Sequence, residues 1–397
     1  MRISTANAYD ASIEGLQQRQ QQLSDSQLQL TSGKRVNKAS DDPAAAARAE
    51  RALTTITRTD ATKRALQASQ NAMALTESAL ADAGGLLQDA RETMVAAGNA
   101  TYSDSDRESL AERLSRIRSQ LFDVANRSDG AGSYLFAGQG SSQPPFVDMP
   151  GGVQFVGTQG ATRVPDDGMP MSADGAAIWL QASTGNGVFN TAVGVPNSGG
   201  AWIDSGSVTS PAALTASSYT VTISSAGGAP TYTVLKDGLA TALTNVPFVS
   251  GQAITIDGMS FSINGAPANG DTFTATPSTR TLNVFTALDR TIADLKTPGR
   301  TSAQNAQTVQ RALRDLDQSM TTVNAARAEA GETLNQGDAA QGRNDDLKLA
   351  AQSQRSNAED LDMMAAVSEF QNRQSGYDAA LKTYSMVQRL SLFEYIR

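Results

Sequence analysis

Apolar residues recur with a period of seven near both ends of this chain, and the middle loses that rhythm. Tyr9, Leu16, Leu23 and Leu30 fall on one heptad line with Ile13 beside it, and Leu66, Met73, Leu80, Leu87 and Met94 fall on another. Leu110, Leu114, Ile117, Leu121 and Val124 alternate steps of four and three, as do Val309, Leu313, Leu316, Met320 and Val323. Val367, Phe370, Tyr377, Leu381 and Tyr384 continue the theme towards the last residue. Such stripes lie on one helix face and bury themselves against other helices.

The punctuation between stripes sets the elements. A first helix is expected from about Thr5 to Thr31, ended by Gly33. The polar connector SGKRVNKASDDP follows, in which Asp41 or Asp42 caps a second helix and Pro43 fits its first turn. That helix should run to about Ala97, roughly 80 Å at 1.5 Å per residue, with an interruption at Gly84-Gly85. A third helix should start near Ser105, with Ser105 and Glu108 as its capping box, and fold back antiparallel to the second.

From about Gly138 to Thr279 glycine and proline separate short runs: VQFVG, AIWLQ, YTVTIS, TYTVLKDG, AITIDG, MSFSING and DTFTATP. Several alternate apolar and polar residues as half-buried strands do, and Asp257-Gly258 and Asn264-Gly265 read as tight turns. Helix returns from about Leu282 to Leu295, breaks at Thr297-Pro298-Gly299, and resumes from about Thr301, weakened locally by Gly331, Gly337 and Gly342. The last helix should reach about Leu392.

The fold class expected is mixed α and β. Long N- and C-terminal helices form a rod-like coiled coil and helical bundle, into which a β-rich outer domain is inserted. The divisions are 1–42 (terminal coiled-coil segment and loop), 43–138 (bundle, first half), 139–280 (β-rich insertion, one lobe or two), 281–350 (bundle, second half) and 351–397 (C-terminal coiled-coil segment).

Composition narrows the function. The net charge is -8 and no block of basic residues occurs, which argues against nucleic acid and against a polybasic membrane anchor. No run of 18 apolar residues occurs, so no membrane insertion is expected, and MRISTANAYDASIEG shows no secretory h-region. The chain has no cysteine and no histidine, which removes thiolate chemistry and the commonest general base and metal ligand. Neither a nucleophile elbow nor a P-loop is present. Gly138-Gln139-Gly140 is only a fragment of a dinucleotide fingerprint and reads as a flexible domain hinge. Asp166-Asp167-Gly168 lacks a downstream ligand ladder, and Asp345-Asp346 are helix neighbours that do not share a face. The expectation is a non-enzyme with no catalytic residue, no metal and no cofactor.

The terminal stripes offer one apolar residue per two turns, a thin seam against a backbone ordering cost of about 1–2 kcal/mol per residue. They are expected to be loose in the free chain and to fold on assembly. Lys34, Arg35 and Lys38 precede Asp41 and Asp42 and could pair within the chain or across to a neighbouring subunit. The assembly interface expected comprises Tyr9, Ile13, Leu16, Leu23, Leu30, Lys34, Arg35, Asp41, Asp42, Phe370, Tyr377, Leu381, Tyr384, Leu392 and Phe393.

These residues also carry a family likeness. LTSGKRVNKASDDPAAAARAE (Leu30 to Glu50), the opening MRIST with Tyr9, SYLFAG followed by PPF, the segment FVSGQAITIDGMSFSINGAPANGDTF, and the tail ending in SLFEYI resemble the bacterial flagellin superfamily. Within it they resemble the hook–filament junction proteins. The likeness covers about 150 N-terminal and 140 C-terminal residues and is loose from about Met149 to Pro247. Pro43, the GDTF segment and the SLFEYI ending lean away from flagellin itself.

The resemblance implies a structural role at the cell surface, as an adaptor ring joining hook to filament. It implies export, unfolded and without a cleaved signal, through the flagellar type III export apparatus with an export chaperone. It implies self-association in a ring, with hook-associated protein 1 on one side and flagellin on the other, extracellular at the hook–filament junction. Two other readings stay open: flagellin, the major filament subunit, and a coiled-coil surface adhesin whose β middle grips a ligand.

Overall fold

The computed structural model describes residues 5–140, 142–163, 168–225 and 228–389, with side chains from 10 to 386. The elements are α1 (Thr5–Ser32), α2 (Pro43–Ala97), α3 (Asp104–Ala125), β1 (Phe146–Met149), β2 (Gly152–Phe155), α4 (Gly175–Trp179), β3 (Ala182–Ser183), β4 (Phe189–Val193), β5 (Gly200–Ile203), β6 (Ser207–Val208), β7 (Tyr219–Ser224), β8 (Thr231–Lys236), β9 (Leu239–Ala240), β10 (Val246–Pro247), β11 (Ala253–Ile256), β12 (Met259–Ala266), β13 (Thr272–Pro277), β14 (Arg280–Leu282), α5 (Val284–Lys296), α6 (Ser302–Glu359) and α7 (Met363–Arg389). The fold is mixed α and β, as the pattern predicts. Helices from the two ends of the chain pack together, and the strands are inserted between them.

The chain divides into two compact units. One holds residues 1–64 and 340–397, the other residues 65–339. In the second unit the heptad stripes form the core: Leu66, Met73, Leu80, Leu87 and Met94 of α2 are all buried, as are Leu114, Ile117, Leu121 and Val124 of α3 and Val309, Leu316 and Val323 of α6. α3 runs back along α2, and Arg127 pairs with Asp82 at 2.8 Å. It also packs closely on α5. Asn283 caps α5, its Oδ1 accepting from the Phe285 and Thr286 amides.

An aromatic cluster closes this core. Phe136 meets Trp179 edge to face at 5.3 Å, and Phe285 lies 5.9 Å from Phe122 and 6.4 Å from both Phe146 and Trp179. Arg118 seals its rim: Nε donates to Asp289 at 2.9 Å, Nη2 donates to Asp148 at 2.9 Å, and the guanidinium lies 5.8 Å from the Phe285 ring centre.

The inserted strands build two antiparallel sheets over a second core. One runs β10-β8-β7-β13-β4 with β9 beside β8, and the other runs β11-β12-β5 with β6 beside β12. Alternate residues of both, among them Phe189, Tyr219, Val221, Phe273, Phe261 and Ile263, share that core. Asp257-Gly258 forms the tight turn expected between β11 and β12, with both residues at positive φ.

Several local expectations are corrected. The capping box of α3 is Ser103 with Asp106, two residues earlier than Ser105 with Glu108. AIWLQ is not a strand: Asp174 accepts from the Ala177 amide and starts the short helix α4. Asn264-Gly265 is not a turn but lies inside β12, paired with β5, where a Cβ on Gly265 would come within 2.2 Å of the Gly200 carbonyl oxygen. α2 runs unbroken through Gly84-Gly85, and α6 runs unbroken through its three glycines. Gly138 is no flexible hinge. Its amide donates to Ala173, its neighbour Gln139 donates to Thr158, and Ser172 Oγ donates to its carbonyl.

Candidate assembly interface

The other unit holds the terminal helices. Here the buried apolar residues of α2 and α6 are small: Ala45, Ala49, Ala52, Ala340, Ala351 and Ala358. Ion pairs flank the alanines, Lys63 with Asp345 at 2.8 Å and Lys348 with Asp60 at 2.7 Å. Alanine side chains bury little area, so this seam is thinner than the leucine-rich core of the other unit.

The connector between α1 and α2 folds onto the junction of α6 and α7. Asp42 caps α2, its Oδ1 accepting from the Ala45 amide at 2.9 Å, and its Oδ2 accepts from Arg35 Nη1 at 3.1 Å. Asp41 turns the other way, its Oδ2 accepting from the amides of Asn37 at 3.0 Å and Lys38 at 2.9 Å. Both carboxyls are held below the ordinary carboxylate value, Asp41 chiefly by the Lys38 and Asn37 amides and Asp42 chiefly by the Ala45 amide and then Arg35. Arg35 spans the gap, its Nη2 donating to the Ala358 carbonyl at 2.8 Å and its amide to the Glu359 carbonyl at 2.7 Å. Lys34 pairs with Glu359 at 3.2 Å. Lys34 and Arg35 thus find acidic partners within the chain.

α1 and α7 pack antiparallel. Arg373 Nη1 donates to the Gln22 carbonyl at 2.9 Å and to Ser26 Oγ at 2.8 Å, and Arg19 Nη1 reaches the Gly376 carbonyl at 3.4 Å. Ile13, Leu16, Leu23 and Leu30 are half-buried, as are Phe370, Tyr377 and Tyr384, while Leu381 is 41% exposed. Among the residues of α1 and α7 whose side chains are described, only Ser26 is buried. Met364 is 87% exposed and Met386 63%. Tyr9 lies in α1, but its side chain is outside the described residues, and Leu392 and Phe393 lie outside them altogether.

Reading by apolar stripes missed Arg19, Ser26 and Arg373. The signal was present, because Arg19 and Ser26 each sit three residues after a stripe leucine, and Arg373 three after Phe370. A polar group at every second seam position fixes register and lowers stability. The seam is therefore specific in alignment and weak in burial.

Among the described residues no cluster of three carboxylates that could hold a metal ion is present, and no helix is long and apolar enough to cross a membrane. Helical ends that pair across the whole sequence, a folded β insertion and a half-covered terminal seam define a structural assembly subunit of the flagellin type. The model of the bacterial flagellin N-terminal helical region matches residues 3–141. Flagellar hook-associated protein 3 of Escherichia coli is 28% identical over 406 residues, covering 99% of each chain. The crystal structure of FlgL from Xanthomonas campestris superposes with a TM-score of 0.69 at 30% identity, over 78% of this chain and 99% of that one. That of flagellar hook-associated protein 3 from Legionella pneumophila gives 0.69 at 26% identity, over 77% and 97%. The chain belongs to the flagellar hook-associated protein 3 family, within the flagellin superfamily.

Proposed function

We propose that this chain is a non-enzymatic adaptor subunit of the bacterial flagellum, assembled outside the cell as a ring that joins hook to filament. The observation that carries the reading is the end-to-end similarity to hook-associated protein 3, which takes in both helical ends and the inserted domain. The half-covered seam of α1 and α7 supports it, since it leaves apolar groups such as Met364, Leu381 and Met386 exposed for a neighbouring subunit to cover. The assembly interface is Tyr9, Ile13, Leu16, Leu23 and Leu30 with Phe370, Tyr377, Leu381, Tyr384, Leu392 and Phe393. Lys34, Arg35, Asp41 and Asp42 hold the connector that aims them. The neighbours are further copies of this chain in a ring, hook-associated protein 1 on the hook side and flagellin on the filament side. Delivery runs through the type III export apparatus with an export chaperone.

A strain lacking this chain tests the reading. It should build intact hooks, carry no filaments and release flagellin monomer into the medium. Normal filaments in that strain would overturn it. Long filaments grown from the purified chain alone would favour flagellin instead.

A further inference from the structure

The interface leaves one charged cluster of the larger unit unused. α5, α6 and the turn between them carry Arg290, Arg300, Arg311 and Arg314 into one neighbourhood with Asp294 and Asp315. Asp315 takes Arg290 at 3.1 Å and Arg314 at 3.3 Å. Asp294 takes Arg300 at 2.8 Å and also Arg311. Four guanidinium groups thus face two carboxylates, an excess of positive charge in a chain whose net charge is -8.

Arg290 is the surplus member. Arg314 satisfies Asp315 and also ties α6 to β4 through the Thr191 carbonyl at 3.0 Å. Arg290 makes a single hydrogen bond among the described residues, to Asp315, and its side chain is 52% exposed. Partial burial and then the nearby Arg311 hold its pKa below the ordinary arginine value.

Part of this cluster lines a cavity of about 440 Å³ between β4 and the α5–α6 face. Arg290, Arg311, Arg314 and Asp315 form its charged wall, with Asn190 and Gln307 beside them. Arg311 Nε, a donor, is buried without a hydrogen-bond partner. A fork of guanidinium donors matches the two oxygens of a carboxylate or phosphate.

We propose that this cavity is an oxyanion site, taking a carboxylate or phosphate group against Arg290 and Arg311. The group can come from a free small anion or from an acidic side chain of a second copy of this chain. Two arms of one experiment separate these sources. In the first, inorganic phosphate and citrate are titrated into the dilute full-length chain during thermal unfolding, against sodium chloride at equal ionic strength. A free-anion site raises the midpoint progressively with anion concentration, by about 2–4 °C at a few times Kd. Arg290→Gln weakens that binding by about ten-fold or more, and Arg290→Lys retains part of it. In the second arm, self-association at high concentration is followed by sedimentation. A copy-derived carboxylate gives association that Arg290→Gln weakens and citrate competes away. Circular dichroism checks that the variants are folded. If phosphate and citrate act no differently from chloride and association does not depend on Arg290, the proposal is overturned.

Discussion

Phe285→Ala should unfold the larger unit far more readily than any single change in the terminal seam. The ring is fully buried and touches Phe122, Phe146 and Trp179, with Arg118 over its face. Those partners come from α3, β1, α4 and the α3 rim, elements held by separate hydrogen-bond sets, so the site cannot collapse to fill the space. Removing a buried phenylalanine costs about 3–5 kcal/mol, and failure to collapse places the loss in the upper half of that range. For a domain of this size each kcal/mol lowers the midpoint by roughly 2–4 °C, giving a drop of about 8–20 °C. Trp179 fluorescence reads the transition directly, because its ring is 6.4 Å from Phe285. Leu381→Ala, at a position 41% exposed, is the control and should cost less than about 1 kcal/mol. A loss below about 1.5 kcal/mol for Phe285→Ala would refute the reasoning that this ring locks the helices to the strands.

Three further expectations follow from the same physics. Deleting Asp378 to Arg397 should leave the unfolding midpoint of residues 65–339 unchanged while abolishing assembly; unfolding of that unit, seen by circular dichroism, counts against the division. Gly138→Ala should destabilise the same unit by more than about 1 kcal/mol, because the position has φ +72 and a Cβ would lie 1.9 Å from the Thr158 oxygen; an unchanged urea midpoint contradicts this. The connector should be acid-sensitive. The folded pKa values of Asp41 and Asp42 lie below their unfolded value of 3.8, so their contribution is complete above 3.8 and fades as pH falls through the lower folded values. Protection factors of the Asn37, Lys38 and Ala45 amides, taken relative to the intrinsic rate at each pH, should hold at about pH 5 and fall only below 3.8; loss of protection already near neutral pH contradicts the assignment.

The helical body was legible because its signals are redundant. Asp42-Pro43 marks the start of α2, Gly98 follows its end, and five stripe residues between them are all buried. The cap of α3 was misplaced because SDSDRE offers two serine–acid pairs at the same spacing, and the structure uses the first, Ser103 with Asp106. AIWLQ carries strand-like residues, but Trp179 is buried by packing on Phe136 rather than by a cross-strand partner, a tertiary effect invisible to periodicity. Asn264-Gly265 imitates a hairpin turn, whereas the glycine serves the close approach of β5. The apolar part of the candidate interface could be read from heptads, but its polar clasp, Arg373 on Ser26, joins residues 347 positions apart. The arginine cluster was hidden for the same reason: its members are spread over two helices and the turn between them, and meet only after α5 turns back into α6.

The account rests on a contrast between a stable body and terminal arms that neighbours complete. Hydrogen exchange on the free full-length chain measures that contrast directly. Amides of residues 10–32 and 363–386 should exchange quickly, while those of 80–94 and 309–323 stay protected. Protection of α1 and α7 as strong as that of the body, in the free chain, would contradict it.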